Sequence, residues 1–234
     1  MNFSTRTLLT KAILLAGAAS AMPLGGCSFS DRVGEMEMVS LGPSSRAFGR
    51  EFTVGRYAMR ESENSFWFSD VPLEALTAAE GSELPKDAVF LHAQLVWIPK
   101  AGNTPMQSSA TNLVLRVLVL SNGEAGLYGG AAFATPDGDP GDETVALSFE
   151  EGSMTLLEKT PGFIDLLSPA ALSGSLTAQL SEQDANRWRR AVSQLAANAF
   201  GRPMWVLDGP LDDGGSTEAA HLLARAGAWL AAPR

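Results

Sequence analysis

The side chains that most often serve as catalytic bases or metal ligands are scarce in this sequence. It contains two histidines, His92 and His221, and a single cysteine, Cys27. Soft and borderline metal ions usually need several convergent His, Cys, Asp or Glu ligands. A Ser-His-Asp hydrolase could use either histidine, but no Gly-x-Ser-x-Gly turn occurs. We therefore expect no catalytic triad, no metal site and no cofactor.

The two histidines have simpler explanations than catalysis. His92 lies in the middle of an apolar segment, which indicates a partly buried strand residue whose ring nitrogens are satisfied by neighbours. His221 shares a helix face with Glu218 and Arg225, which is typical of a solvated polar surface. Neither histidine is expected to act as a ligand or as a general base.

Carboxylates are more numerous, and paired carboxylates could hydrolyse glycosides if they lay about 5 to 10 Å apart. Glu150 and Glu151 are adjacent, so in a strand they would point to opposite faces, and we interpret them as part of a charged hairpin. Residues 137–143 (DGDPGDE) superficially resemble a calcium loop, but the EF-hand spacing is absent and a solvated hairpin connection is favoured. Residues 212–215 (DDGG) have the same interpretation.

The densest aromatic cluster is Phe66-Trp67-Phe68, which together with Trp97 or Trp205 could form a platform for a sugar or for an apolar partner surface. Strand alternation would place Phe66 and Phe68 on one face and Trp67 on the other. A strand covered on both faces explains the pattern equally well. We treat Phe66, Trp67 and Phe68 as the candidate binding surface.

The amino terminus predicts export. Arg6 and Lys11 supply positive charge, no acidic residue precedes Cys27, and residues 12–22 form an uncharged apolar run. That run is shorter than the roughly 20 residues that span a bilayer, so we expect a removable signal rather than a membrane helix.

The signal ends in Leu24-Gly25-Gly26-Cys27, and residues 1–27 in this respect resemble the lipobox signal of bacterial lipoproteins. The resemblance implies a diacylglyceryl group on the Cys27 thiol, cleavage after Gly26 and membrane anchoring through lipid. An exported protein usually pairs its cysteines, and lipidation explains why there is only one. In that family an aspartate after the cysteine often favours inner-membrane retention. Ser28 occupies the position here, so an outer membrane facing the periplasm is favoured.

Removal of residues 1–26 would leave 208 residues, which suits a single domain. The signal holds two of the 17 basic residues and none of the 26 acidic ones, so the mature net charge would be −11. This charge argues against nucleic acid and anionic lipid surfaces as partners. Residues 27–50 mix Gly, Ser, Pro and charges, and we expect a tether there, followed by one globular domain over 51–234. As an alternative, Met36, Met38, Val39 and Leu41 could add an edge strand.

Alternating apolar residues predict strands over 144–150 and 175–180, and longer apolar runs predict central strands over 89–98 and 113–120. Asn122-Gly123 favours a tight hairpin turn, and a second turn is expected at Glu151-Gly152. Gly129-Gly130 indicates close backbone packing or a bulge. Helices are predicted after Ser181, ending near Gly201, and over about 217–230, with a short strand over 204–207 between them.

Because the strands precede the helices, the fold class is α+β, a mainly antiparallel sheet with two C-terminal helices packed on it. A β-sandwich with appended helices is the alternative. For function, we expect a lipid-anchored, non-catalytic binding or assembly component of the cell envelope, whose partner is an envelope protein or a glycan. The alternative is an envelope hydrolase that acts on polysaccharide or peptidoglycan through paired carboxylates. The sequence leaves the oligomeric state open.

Overall fold

The computed structural model describes residues 33–43, 45–59, 64–77, 85–99 and 110–204. Cys27, Trp205, residues 212–215, His221 and the helix predicted over 217–230 lie outside these ranges. The described helices are α1 (Leu73–Thr77) and α2 (Glu182–Phe200). The strands are β1 (Gly34–Ser40), β2 (Ala47–Phe52), β3 (Val54–Met59), β4 (Asn64–Ser69), β5 (Asp87–Leu95), β6 (Leu113–Ser121), β7 (Glu124–Asp137), β8 (Thr144–Lys159) and β9 (Ala170–Leu180).

Within the described residues, these nine strands form one sheet in the order β2-β1-β9-β3-β4-β5-β6-β7-β8, and β8 also pairs with β9. Followed from β9 through β3, β4, β5, β6 and β7 to β8, the strand pairings therefore return to β9. All neighbours are antiparallel except β3 and β9, which meet in parallel over two residue pairs. The predicted α+β class with a large antiparallel sheet is confirmed.

Two cores lie on opposite faces of the sheet because apolar residues occupy both faces of the central strands. On the face that we call inner, the core contains Met38, Phe66, Leu91 and Leu115 among others. On the outer face, Trp67, Phe90 and Leu118 pack against Trp188 and the other buried residues of α2. The central strands therefore need cover on both sides, and α2 supplies part of it.

The first predicted helix is confirmed together with both of its ends. The Ser181 side chain accepts a hydrogen bond from the Asp184 backbone N–H at 3.2 Å, and Gly201 ends α2 with φ of 71°. The Asn122-Gly123 hairpin is also confirmed, since β6 and β7 pair up to Ser121 and Glu124 and both turn residues have positive φ. None of the helices in the part of the chain that the structure describes is long and apolar enough to cross a membrane.

The prediction of a tether over 27–50 is wrong for residues 34–40 and 47–50, because they form β1 and most of β2. β1 is paired on both sides, with β2 and with β9, so it is an interior strand and not the edge strand of the alternative. Met36 and Met38 are 2% and 0% exposed. Burial of these two side chains explains why the segment folds back onto the sheet.

The turn predicted at Glu151-Gly152 is also wrong. β8 continues through both residues, and its pairing with β7 and with β9 shifts register there. Glu151 has φ of 53°, and β8 carries one extra residue there relative to β7 and β9, which indicates a β-bulge that does not reverse the chain.

Candidate functional site

The strands β8, β9, β1 and β2 form the floor of an open groove of about 970 Å³. Its lining carries five carboxylates, one arginine and three serines. The lining residues are Glu35, Met36, Glu37, Gly49, Arg50, Glu51, Asp70, Ser148, Phe149, Glu150, Ser173, Gly174 and Ser175. We call this feature the acidic groove.

Strand alternation places two of the groove carboxylates, Glu35 and Glu37, on the outer face. Met36 and Met38 enter the inner core, so Glu35 and Glu37 must point to the other side of β1. Their β9 partners across the sheet are Ser175 and Ser173, whose side chains are small and polar. A sheet face of this composition stays solvated.

Like charges are concentrated across β1 and β2. Glu35 and Glu51 are directly opposite each other in the register, and both side chains are exposed. Like charges directly opposite each other destabilise a strand pair. The fold therefore carries an electrostatic cost in this groove, and a cationic ligand would relieve it.

Arg50 lies opposite the inner-facing Met36 in the β1–β2 register and is paired with Asp70. Its Nε lies 3.3 Å from Oδ2 of Asp70, while Oδ1 of Asp70 accepts a hydrogen bond of 2.8 Å from the Val89 backbone N–H. Burial raises the pKa of Asp70, and the Val89 hydrogen bond and the Arg50 charge act in the opposite direction. Both oxygens of Asp70 are thus engaged in contacts that join β2 to β5.

A second polar cluster lies on the outer face beside α2, around His92. The ring of His92 stacks on that of Trp67 at a centroid distance of 4.2 Å, and its Nε2 lies 2.7 Å from the Ser65 hydroxyl. Arg116 is opposite His92 on β6. Burial, and then the charges of Arg116 and Arg189, lower the pKa of His92 to about 3.

The Ser65–His92 distance fits a catalytic dyad, but the environment of His92 does not fit a general base. A general base works best with a pKa near the working pH, and a nearby carboxylate normally stabilises the imidazolium. Here two guanidinium groups destabilise the imidazolium. The pair is therefore a structural hydrogen bond, which agrees with the prediction of a satisfied, buried His92.

The three aromatic residues predicted as a binding surface are core residues. Phe66, Trp67 and Phe68 are 1%, 4% and 2% exposed. Phe66 and Phe68 belong to the inner core and Trp67 to the outer one, as the alternation predicts. The platform interpretation is wrong because β4 is covered on both faces. Trp97 is partly buried against Phe133, and its indole N–H donates to the Thr111 carbonyl at 3.1 Å.

The carboxylates singled out in the sequence separate into two places. Glu150 lines the acidic groove, whereas Glu151 occupies the adjacent bulge. Residues 138–143 connect β7 to β8, as the hairpin interpretation predicts, and the Asp139 N–H donates to the Asp142 carboxylate at 2.8 Å. Among the residues that the structure describes, no group of three His, Cys, Asp or Glu side chains is arranged to hold a metal ion.

Glu35, Glu37 and Glu51 were not predicted as site residues, because the first two fall within the tether expected over 27–50 and the third directly follows it. The alternation Glu35-Met36-Glu37-Met38 is the signal that identifies a half-buried strand there. Comparison with protein-family models, with curated proteins and with solved structures gives no match to this chain.

Proposed function

We propose that this protein is an exported, lipid-anchored component of the bacterial cell envelope that binds a cationic partner in the acidic groove without catalysing a reaction. The observation that carries the proposal is the groove lining, in which five carboxylates accompany a single arginine. Anchoring rests on the lipobox signal that ends at Cys27. The favoured location is the outer membrane, facing the periplasm.

Charge complementarity selects the chemistry of the partner. Glu35, Glu37 and Glu51 are exposed at the groove, and their charges reinforce one another because they lie on two adjacent strands. A concave surface with one sign of charge attracts ligands of the opposite sign and raises their association rate. We therefore expect a lysine- or arginine-rich segment of an envelope protein.

The test is titration calorimetry of the purified chain with hexalysine, and with hexaglutamate as the ligand control. Hexalysine should bind, and its affinity should fall as salt is raised. The triple variant Glu35→Gln, Glu37→Gln, Glu51→Gln should weaken binding at least about tenfold. This corresponds to roughly 1.4 kcal/mol.

A matched variant separates the effect of the groove carboxylates on binding from the effect of the protein's net charge. Asp137, Asp139 and Glu143 are exposed in and beside the β7–β8 connection, outside the groove lining. Changing these three to Asn, Asn and Gln removes the same number of charges as the groove triple. Equal weakening by both triples, or no hexalysine binding at all, would contradict the proposal.

The anchor has its own test. Wild-type protein should carry a lipid-modified amino-terminal cysteine by mass spectrometry, and Cys27→Ser should be unprocessed or released from membranes. A mature amino terminus with an unmodified Cys27 thiol would contradict lipid anchoring.

The second candidate function is a carboxylate-dependent hydrolase, and Asp70 is the observation that favours it. Burial raises the pKa of this groove carboxyl, as a general acid requires, while Glu51 nearby in the lining is exposed. The contacts of Asp70 with Arg50 and Val89 favour a structural role instead. Release of reducing sugar from peptidoglycan by the wild type, abolished in Glu51→Gln, would support the hydrolase over the binding protein.

For the architecture, we favour a single closed sheet with the C-terminal helices on its outer face over a β-sandwich. The strand pairings run from β9 through β3 to β8 and back to β9.

A further inference from the structure

We propose that the free edge of β2 is the docking strand for the cationic partner, which adds to the sheet as an extended segment with basic residues at alternate positions. The inference rests on the proposed function, because it specifies how the partner reaches the acidic groove. It also restricts the partner to an extended segment of a protein chain.

The position of β2 in the sheet is the first observation. β2 stands at the end of the strand order and pairs with β1 over six residue pairs. Within the described ranges, no strand pairs with its other side. An exposed edge of this kind is a template for an added strand, and proteins use it to recognise extended peptides.

The hydrogen-bond register shows which backbone groups face outward. The Ser40 N–H donates to the Arg46 carbonyl at 2.8 Å, in the same register as the pairs Met38↔Phe48 and Met36↔Arg50. In an antiparallel pair the residues that bond to the partner strand alternate with residues that point away from it. Ala47, Gly49 and Glu51 therefore direct their N–H and C=O groups to the free edge.

The same three residues have their side-chain positions on the groove face and are exposed. Residues of an added strand that bond to Ala47, Gly49 and Glu51 would place their own side chains on that face too. A Cβ atom at Gly49 would have its nearest contact at 3.9 Å, the Met36 carbonyl oxygen. The open space at Gly49 lets a long side chain of the added strand pass toward Glu37, its β1 partner.

Charge decides between a basic partner and a second copy of this chain. Two β2 edges paired with each other would bring Glu51 of each copy onto the same groove face, where Glu35 and Glu37 already lie. This would add negative charge to an acidic surface. A lysine or arginine at every second position would instead neutralise it.

The test uses an octapeptide in which lysine and threonine alternate, acetylated and amidated at its ends. Its affinity for the purified full chain is compared with that of the same composition in two blocks, four lysines followed by four threonines. We expect the alternating peptide to bind at least tenfold more tightly. Equal affinity for the two peptides would overturn edge docking.

Backbone methylation provides a probe that leaves the protein unchanged. In the proposed pairing the lysine amides bond to β2, whereas the threonine amides point away. N-methylation of the lysine residues should reduce affinity at least tenfold, and N-methylation of the threonine residues should reduce it far less. Equal effects of the two modifications would overturn the inference.

The protein-side test compares Gly49→Pro with Gly49→Ala. Proline removes the outward N–H and is tolerated on edge strands, while alanine keeps the N–H. Gly49→Pro should bind the alternating peptide at least tenfold more weakly than Gly49→Ala. Hydrogen exchange of Ala47, Gly49 and Glu51 should slow on binding. If Gly49→Pro does not fold, the methylated peptides still decide the question.

The outcomes distinguish this inference from the proposed function. Basic peptides could bind the wild type, bind the groove triple variant more weakly, and show affinities that do not depend on residue order or N-methylation. That result would support the acidic groove and overturn edge docking. If no basic peptide binds in any of these forms, both proposals are overturned.

Discussion

The Ser65 hydroxyl and Nε2 of His92 lie 2.7 Å apart on adjacent strands, within the electrostatic influence of Arg116 and Arg189. In a hydrolase the same contact would let the histidine take the serine proton, but burial, and then the charges of Arg116 and Arg189, oppose a proton on the His92 ring. His92 therefore stays neutral in the folded protein across the physiological range of pH. That property has a measurable consequence for stability.

We predict that His92 contributes to unfolding at mildly acidic pH. Its pKa is lowered from 6.5 to about 3 in the fold, so between these values the unfolded chain binds more protons than the folded one. The stability contribution is fully present above pH 6.5 and is lost as pH falls toward 3, at about 1.4 kcal/mol per pH unit. Urea unfolding between pH 7 and 4 should show a shallower decline for His92→Gln than for the wild type.

Ser65→Ala is the control for this measurement, because it removes the hydroxyl and leaves His92 to titrate. Its free energy of unfolding should decline with acid as steeply as that of the wild type. Parallel curves for His92→Gln and the wild type would contradict the assignment of a buried, neutral histidine.

The adjacent residues Met38 and Val39 provide a test of β1 as an interior strand. Met38 is 0% exposed and packs in the inner core, whereas Val39 points to the opposite face and is partly exposed. Met38→Ala should lower the free energy of unfolding by about 2 to 5 kcal/mol. Val39→Ala should cost less than about 1 kcal/mol. Equal, small effects in urea unfolding would favour the tether prediction instead.

The sequence predicted those parts of the fold that depend on interactions between residues close together in the chain. Asn122 and Gly123 both adopt positive φ in the hairpin between β6 and β7, which their residue types favour. The Ser181 cap and Gly201 likewise define α2 without help from distant residues. The alternation in 144–150 correctly identified the inward-facing Val145, Leu147 and Phe149.

Non-local pairings account for what the sequence did not predict. β1 is stabilised by β9, more than 120 residues later along the chain, through pairs such as Met38↔Leu172. At Glu151-Gly152 a positive φ fits either a turn or a bulge. The pairing of β8 with β7 and β9 on both sides of this point selects the bulge. The acidic groove combines β1, β2, β8 and β9, so its carboxylates converge only once these distant pairings exist.

Alanine substitutions at Gly129 and Gly130 would test the close packing predicted for this part of β7. A Cβ at Gly130 would lie 1.8 Å from the Ser153 carbonyl oxygen, which belongs to the backbone of the paired strand β8. A Cβ at Gly129 would meet the end of the Leu157 side chain at 2.4 Å. Because a side chain can move and a paired strand cannot easily do so, Gly129→Ala should cost roughly 1 to 3 kcal/mol. Gly130→Ala should cost more. Thermal unfolding that ranks the two variants in the reverse order would contradict this packing.

The fully buried side-chain amide of Asn112 acts as a strand extension beside β7. Its Oδ1 accepts from the Ala134 N–H at 2.7 Å, and its Nδ2 donates to the Ala134 carbonyl at 2.9 Å.

Asn112→Ala would leave both Ala134 groups buried without these partners, at a cost of about 1 to 3 kcal/mol for each unsatisfied group. We therefore expect the free energy of unfolding in urea to fall by about 2 to 6 kcal/mol. Asn112→Asp keeps the acceptor but loses the donor and adds a buried charge. The stability that this variant loses should be partly restored at low pH, where the carboxyl is protonated. A loss below about 1 kcal/mol in Asn112→Ala would show that Ala134 finds other partners and would contradict this role.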